Sequence, residues 1–260
     1  LNADGSGVIY KIDKRKNYIS RKAPRIRGAS YRGERLEHII AANLDSLFVV
    51  CSVLEPIFNN KTLDRLLVIG ESAGLSPIII INKIDLDKGN KIKYWIELYK
   101  GIGYTILPAS IITEEGINDL KSHLDGKINL LFGHSGVGKS SLLNKIYPGL
   151  NLRVGKISNS TDKGTHTTVT SVMIKIKEST YVVDTPGIRE IDPFGIRKED
   201  LNHYFVEFSE YSSECKFNTC THFHEPSCAV IKAVEEGNIS RERYESYLKI
   251  VETIEEDIFF

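Results

Sequence analysis

The stretch from Gly133 to Ser141, Gly-His-Ser-Gly-Val-Gly-Lys-Ser-Ser, fits the pattern G-x-x-x-x-G-K-[ST], a loop whose backbone N–H groups turn inward around a polyphosphate. The apolar run at 127–132 reads as a buried strand, and 141–146 begins with helical spacing. Strand, glycine-rich loop and helix is the context this motif requires. It predicts that the main chain of Gly133, His134, Ser135, Gly136, Val137 and Gly138 wraps the phosphates, with a positive helix N-terminus behind them. Lys139 then reaches the β- and γ-phosphates as a catalytic cation, the Ser140 hydroxyl binds Mg²⁺, and Ser141 lies in the same helix start.

The surrounding chain has the pattern to build a sheet around that loop. Residues 46–53 and 76–81 are near-continuous apolar runs, as strands of a parallel sheet are. Helical spacing marks 62–72 through Leu63, Leu66 and Leu67, 91–100 through Ile92, Trp95, Ile96 and Tyr99, and also 116–124, while 104–107 reads as a strand. Strands alternating with helices specify a doubly wound α/β sheet. Residues 170–176 and 181–183 add two strands, read as adjacent and antiparallel, and 195–260 leans to helix. At the head, 7–22 alternates as a hairpin, Val8 to Ile12 and Tyr18 to Arg21 about a turn at Asp13-Lys14-Arg15-Lys16-Asn17. The boundaries drawn are 1–35 for a small β-module, 36–192 for the α/β domain and 193–260 for a helical domain.

Charge is balanced overall, 34 Lys+Arg against 34 Asp+Glu, but not along the chain. Residues 1–35 hold ten bases against three acids, and 235–260 hold eight acids against three bases. A basic head interleaved with Tyr10, Tyr18 and Tyr31 suits single-stranded RNA, and equally suits an ordinary β-module with a charged surface. No apolar run approaches the roughly 18–20 residues of a membrane span. The opening Leu1-Asn2-Ala3-Asp4-Gly5 is neither a basic nor an apolar signal region, and it lacks Met, as expected of a fragment or a processed chain.

Further motifs specify chemistry. Asn82-Lys83-Ile84-Asp85 follows a run of four isoleucines. An Asp there accepts from guanine N1–H and N2–H₂, a donor pair adenine lacks, so the pocket rejects ATP by leaving buried polar groups unpaired. Asn82 supports the loop and the base, the Lys83 stem covers the ring, and Ala109-Ser110 can offer a backbone N–H to guanine O6. Asp184-Thr185-Pro186-Gly187 ends a strand; the Asp184 carboxylate can hold Mg²⁺ through water and the Gly187 N–H can sense the γ-phosphate. In Gly164-Thr165-His166-Thr167-Thr168, a hydroxyl completing the Mg²⁺ shell is expected from Thr168 or Thr167. Ile188 stands where many such enzymes carry a water-orienting Gln, and His166 is the nearest polar replacement. Lastly, Cys215-x₄-Cys220-x-His222-x₅-Cys228 gathers three thiols and an imidazole, a set suited to one closed tetrahedral Zn²⁺ site, with His224 the weaker alternative ligand.

The order of these motifs decides the topology. Ordinary GTPases run P-loop, switch threonine, D-x-x-G, N-K-x-D; here N-K-I-D at 82–85 precedes the P-loop at 133–141, so the sheet must be circularly permuted. With that order, the head around Asn17-Tyr18-Ile19-Ser20-Arg21-Lys22, Ile40-Ala41-Ala42-Asn43-Leu44-Asp45, G-x-H-T-T, D-T-P-G-I-R-E and the cysteine spacing, the chain resembles the circularly permuted ribosome-biogenesis GTPases of the RsgA/YjeQ type. The resemblance implies an N-terminal OB-fold, a permuted GTPase domain and a helical zinc-binding domain. The residues before Leu36 are too few for the five strands of an OB-fold, so an incomplete one is expected. The resemblance further implies binding to the small ribosomal (30S) subunit and 16S-type rRNA, a role late in 30S maturation, and hydrolysis of GTP to GDP and phosphate that the particle stimulates. It puts the family's switch histidine at His166. Thr165 stands where the family often has Arg, and Val169 where it often has a third Thr. A cytoplasmic monomer without membrane contact is the expected form. The rival reading is an rRNA- or ribosome-binding module whose nucleotide site is structural; the intact Lys139, Ser140, Asp184 and Thr168 favour the enzyme.

Overall fold

The computed structural model describes residues 8–22, 37–152, 172–184 and 195–254. At the head, pairing runs between distant segments rather than neighbours. Strands β1 (Tyr18–Lys22) and β2 (Glu37–Ala42) form an antiparallel pair, Tyr18 opposite Ala42 and Lys22 opposite Glu37. The expected hairpin within 7–22 is therefore corrected: residues 8–17 contain no strand, and Val8, Ile9, Tyr10 and Ile12 are exposed. Asn17 carries the reason. Its side chain donates to the Leu44 carbonyl at 2.9 Å and accepts from the Leu44 N–H at 2.8 Å, while its own carbonyl takes the Asn43 N–H at 2.9 Å. These bonds register β1 against β2, and Val8 to Ile12 pair with no strand among the described residues. Because β2 lies beyond Leu36, the small sheet extends to Ala42. Among the described residues the head contributes these two strands and no closed barrel.

The main sheet comprises β3 (Ser46–Ser52), β4 (Ile78–Asn82), β5 (Thr105–Ala109), β6 (Ile128–Phe132), β7 (Val172–Lys177) and β8 (Thr180–Asp184). Their order is β5-β4-β3-β6-β8-β7, parallel except that β7 runs antiparallel to β8, as expected. Side chains alternate across it. Leu47, Val49, Ile79, Ile81, Leu130 and Phe132 face α1 (Asn60–Ser72) and α2 (Ile92–Ile102), which supply Leu63, Leu67, Ile92 and Tyr99. Phe48, Val50, Ile80, Leu107, Leu131 and Val182 face α3 (Ile117–Leu124) and α4 (Lys139–Ile146), which supply Leu120, Leu124, Leu142, Leu143 and Ile146. Asn59 caps α1, its side-chain oxygen accepting the Thr62 N–H at 3.2 Å, and Gly103 ends α2 at φ 110, a conformation open to glycine. The chain visits β3, β4 and β5 on one side before returning to β6. The carboxyl ends of β4 and β6 therefore flank β3 where the winding reverses, the usual place for a ligand in such a sheet.

The C-terminal module contains α5 (Ser209–Ser212), α6 (Ala229–Glu235) and α7 (Arg241–Thr253), preceded by 3-10 turns at Lys198–Tyr204 and Val206–Phe208. Leu201, Phe205, Phe208, Val230, Ala233, Tyr247 and Ile250 form its core, which also takes in Val68 of α1. The contact with α1 holds a buried ion pair: Arg243, 1% exposed, donates to Asp64 Oδ1 at 2.5 Å and to both oxygens of Glu207 at 2.7 and 2.9 Å. Deleting one partner of such a pair costs about 3–5 kcal/mol, because the other charge stays buried.

Candidate nucleotide site and metal centre

At the carboxyl edge of β6 the chain must turn sharply under β3, and two glycines make that possible. A Cβ on Gly133 would collide with the Val50 carbonyl, and one on Gly138, at φ 98, would collide with the Asn82 amide. Both close approaches bring the loop against its neighbours. Asn82, buried at the end of β4, donates through Nδ2 to the Val137 carbonyl at 2.8 Å. Its Oδ1 is buried without a hydrogen-bond partner, an acceptor that a bound base could satisfy. Lys83 takes the left-handed conformation at φ 61. Its ammonium then turns back over the loop and donates to the Gly136 carbonyl at 3.0 Å and to the Glu55 carbonyl. N-K-I-D and the P-loop, apart in sequence, are thus bonded to each other.

Asp85 lies in the 3-10 turn Ile84–Leu86 and accepts from the Ser110 hydroxyl at 2.5 Å. That hydroxyl in turn accepts the N–H groups of Ile112 at 3.1 Å and Thr113 at 3.2 Å. Of the Ala109-Ser110 pair expected to offer an N–H to guanine O6, the Ser110 N–H donates to the Glu115 carbonyl at 3.0 Å, and the Ser110 side chain acts on Asp85. Ala109 is buried at the end of β5. His134, Ser135 and Gly136 form the exposed tip of the loop. Lys139 and Ser140 open α4 with Ser141, and the Lys139 ammonium folds onto the carbonyls of Gly133 at 2.7 Å and His134 at 3.1 Å. Asp184 ends β8 just past the Leu130–Val183 pair, beside the strand that feeds the P-loop. Glycines that admit no Cβ, an unpartnered buried acceptor and a helix start fit a guanine nucleotide. Ser140, in the first turn of the helix that follows β6, and Asp184, at the end of the neighbouring β8, lie on adjacent strand–loop units, as Mg²⁺ ligands there would. His166, Thr168 and Gly187 lie outside the described residues.

One segment of this site escapes a motif search. Residues 53–59 fold over the junction: Val53 N–H donates to the Asn82 carbonyl at 3.1 Å, and the Pro56 carbonyl takes the Ser52 hydroxyl at 2.8 Å. Its contribution to Lys83 is a backbone carbonyl, which no residue type announces. The only sequence signal is Glu55-Pro56 just after an apolar strand, a turn former.

In the C-terminal module Cys215, Cys220, His222 and Cys228 place one ligand atom each within 4.8 Å of the others. The sulfurs of Cys215 and Cys228 are 3.9 Å apart, and His222 Nδ1 is 3.6 Å from Cys215 and 3.3 Å from Cys228. A tetrahedron with Zn–S of about 2.3 Å has edges of about 3.8 Å, so the set fits Zn²⁺. Asn202 Nδ2 lies 3.2 Å from His222 Nε2, with Asn202 Oδ1 buried and unpartnered. Turning the amide over lets Oδ1 accept Nε2–H, the tautomer that leaves Nδ1 for a metal. Burial raises the Cys220 thiol to about 12 and raises Cys228 as well, and it lowers His222 toward the neutral imidazole that ligates. Only a bound cation would hold such thiols ionised. Glu225 ties the loop between ligands. Burial alone would raise it, but the Thr221 hydroxyl at 2.5 Å and the N–H groups of Thr221 and Phe223 at 2.7 and 3.0 Å hold its carboxyl at about 2. His224 gives its backbone N–H to Glu225 and stands outside the cluster.

The chain is similar in sequence and fold to known proteins. A model of the RsgA GTPase family matches residues 12–194. The small ribosomal subunit biogenesis GTPase RsgA of Chlorobaculum parvum is 40% identical over 250 residues, covering 96% of this chain and 79% of that protein. The small ribosomal subunit biogenesis GTPase RsgA 2 of Bacteroides thetaiotaomicron is 40% identical over 259 residues, covering 98% of this chain and 81% of its own length. Among solved structures, YjeQ from Thermotoga maritima superimposes with a TM-score of 0.75 at 38% identity, over 96% of this chain and 79% of that one. YloQ, described as a circularly permuted GTPase, gives a TM-score of 0.70 at 31% identity, over 97% and 76%. The permuted order expected from the motifs agrees with that description.

Proposed function

The chain belongs to the RsgA GTPase family and is a GTP hydrolase, and from that premise we propose that it acts in maturation of the small ribosomal subunit. On this reading it binds the 30S particle and 16S-type rRNA, acts late in assembly, and hydrolyses GTP to GDP and phosphate faster on the particle than alone. The observation that carries the nucleotide part is the bonding of Asn82 to Val137 and of Lys83 to Gly136, which makes base reading and phosphate binding one site. The ribosomal part is supported by the names of the relatives above.

The roles follow from the chemistry. Asp85, oriented by Ser110, reads guanine. The P-loop N–H groups take the phosphates, and Lys139 leaves its two carbonyls for the β- and γ-oxygens. Ser140, Asp184 and Thr168 would hold Mg²⁺, which would supply neutralising charge to the phosphates. The Gly187 N–H senses the γ-phosphate. Ile188 cannot orient water, which leaves that role to His166. One structural Zn²⁺ on Cys215, Cys220, His222 and Cys228 holds the C-terminal module in shape. The head, read as part of an OB-fold, meets rRNA: Lys11, Lys14, Arg15 and Lys16 are exposed, and Arg15 lies 5.8 Å from the centre of the Tyr18 ring. The protein works as a cytoplasmic monomer; no helix among the described residues is long and apolar enough to cross a membrane.

Reversing Arg21, Lys22 and Arg25 to Glu should weaken binding to purified small subunits and flatten its salt dependence, because fewer counterions are released. GTP affinity should not change. Unaltered subunit binding would contradict the head's role.

A further inference from the structure

Arg243 is a cation of the C-terminal module buried against the GTPase domain. Its Asp64 partner on α1 also accepts the Tyr99 hydroxyl at 2.6 Å, and the guanidinium lies 5.5 Å from the centre of the Tyr99 ring. From Tyr99 a column of rings leads toward the nucleotide site: Trp95 is 6.3 Å away, and Phe58 is 5.2 Å beyond Trp95. Phe58 belongs to residues 53–59, whose Glu55 carbonyl takes the Lys83 ammonium and whose Pro56 lies over Gly136. Helix α1 starts from the same segment, with Asp64 about one turn in. A helix and a ring column therefore both connect Arg243 to the segment that clamps N-K-I-D onto the P-loop.

We propose that Arg243 is a positioning residue for the guanine-nucleotide site. Docking of the C-terminal module through Arg243 sets the place of α1 and of residues 53–59, and so how firmly Lys83 is held over the P-loop. Close packing transmits such a shift: Tyr99 is buried, and Trp95 and Phe58 pack half-buried against the same core. A guanidinium is suited to this role because its fork serves Asp64 and Glu207 at once, which the point charge of Lys cannot do. Linkage makes the effect mutual, so bound nucleotide stabilises the docked module. The inference rests on nucleotide binding alone and needs neither ribosome nor zinc.

The test is the dissociation rate of a fluorescent GDP from the full chain, at a temperature where circular dichroism shows each variant folded. Arg243→Met should raise that rate about fivefold or more, the lower end of ordinary site-to-site coupling, with Arg243→Lys in between. Phe58→Ala should raise it too, and the double variant should be no worse than the larger single effect, because both cut one connection. GDP should slow hydrogen exchange in α7 of the wild type but not of Arg243→Met. A folded Arg243→Met with unchanged GDP release, or effects that simply add, would reduce Arg243 to a stabilising contact. If Arg243→Met does not fold, Asn60→Ala asks the same question. It removes only the bonds from α1 to the Glu242 carbonyl and the Ser246 hydroxyl; faster GDP release supports the proposal and unchanged release overturns it.

Discussion

Asp85 is proposed to read the base by donor and acceptor count, so its exchange is the sharpest test of a single residue. Asp85→Asn should weaken GTP binding and favour xanthine nucleotides, whose O2 accepts where guanine N2 donates. Nucleotide titration decides it, and a wild type that binds ATP and GTP equally would sink the assignment. At the other end of the chain, elemental analysis should find one Zn²⁺ per folded chain. Cys220→Ala should release it and loosen residues 210–235, since structural zinc supplies folding free energy; protein prepared without chelator and free of zinc would rule the site out. These residues were legible in the sequence because their chemistry resides in the side chain: carboxylate, thiol and imidazole name themselves. Ser110 shows the limit. Its position at a strand end was readable, but its N–H donates to Glu115 and its hydroxyl holds Asp85, a choice made by the local turn.

Elements were readable where their partners are close in sequence or their burial is complete. The run before the P-loop became β6, and the four isoleucines became β4, because only a strand covered on both faces is apolar throughout. The head misled for the opposite reason. Val8 to Ile12 alternates like a strand, yet β1 pairs with β2 across 14 residues that lie outside the described ones, and pairing at that range leaves no local signature. Residues 53–59 were silent because they act through carbonyls. Within the P-loop, backbone approach makes its own prediction. Gly133→Ala should reduce GTP affinity by more than about tenfold, since relieving the clash with the Val50 carbonyl must shift the loop. Gly149→Ala, with open space around it, should leave affinity unchanged. Equal affinities for the two variants would show that the turn at Gly133 is looser than its packing implies.

For the whole molecule, motif order was the most informative reading, since N-K-I-D before the P-loop allows one sheet only by permutation. Among the described residues the strand ending in Asp184 is the last of the sheet in chain order, and the next described element belongs to the C-terminal module. The segment expected to sense the γ-phosphate is thereby tied to the module that packs on α1, an arrangement suited to turnover that depends on what the molecule is docked to. On the proposed mechanism an aliphatic Ile188 offers the attacking water nothing, so hydrolysis by the free protein should be slow, and on the small subunit His166 should come within reach of that water. The decisive measurement is GTP turnover with and without purified small ribosomal subunits, for the wild type and His166→Ala. The wild-type rate should rise on the subunits, and His166→Ala should lose roughly 10²-fold of the stimulated rate with little change in basal turnover or GTP affinity. A wild-type rate that is the same with and without subunits would contradict the proposed function.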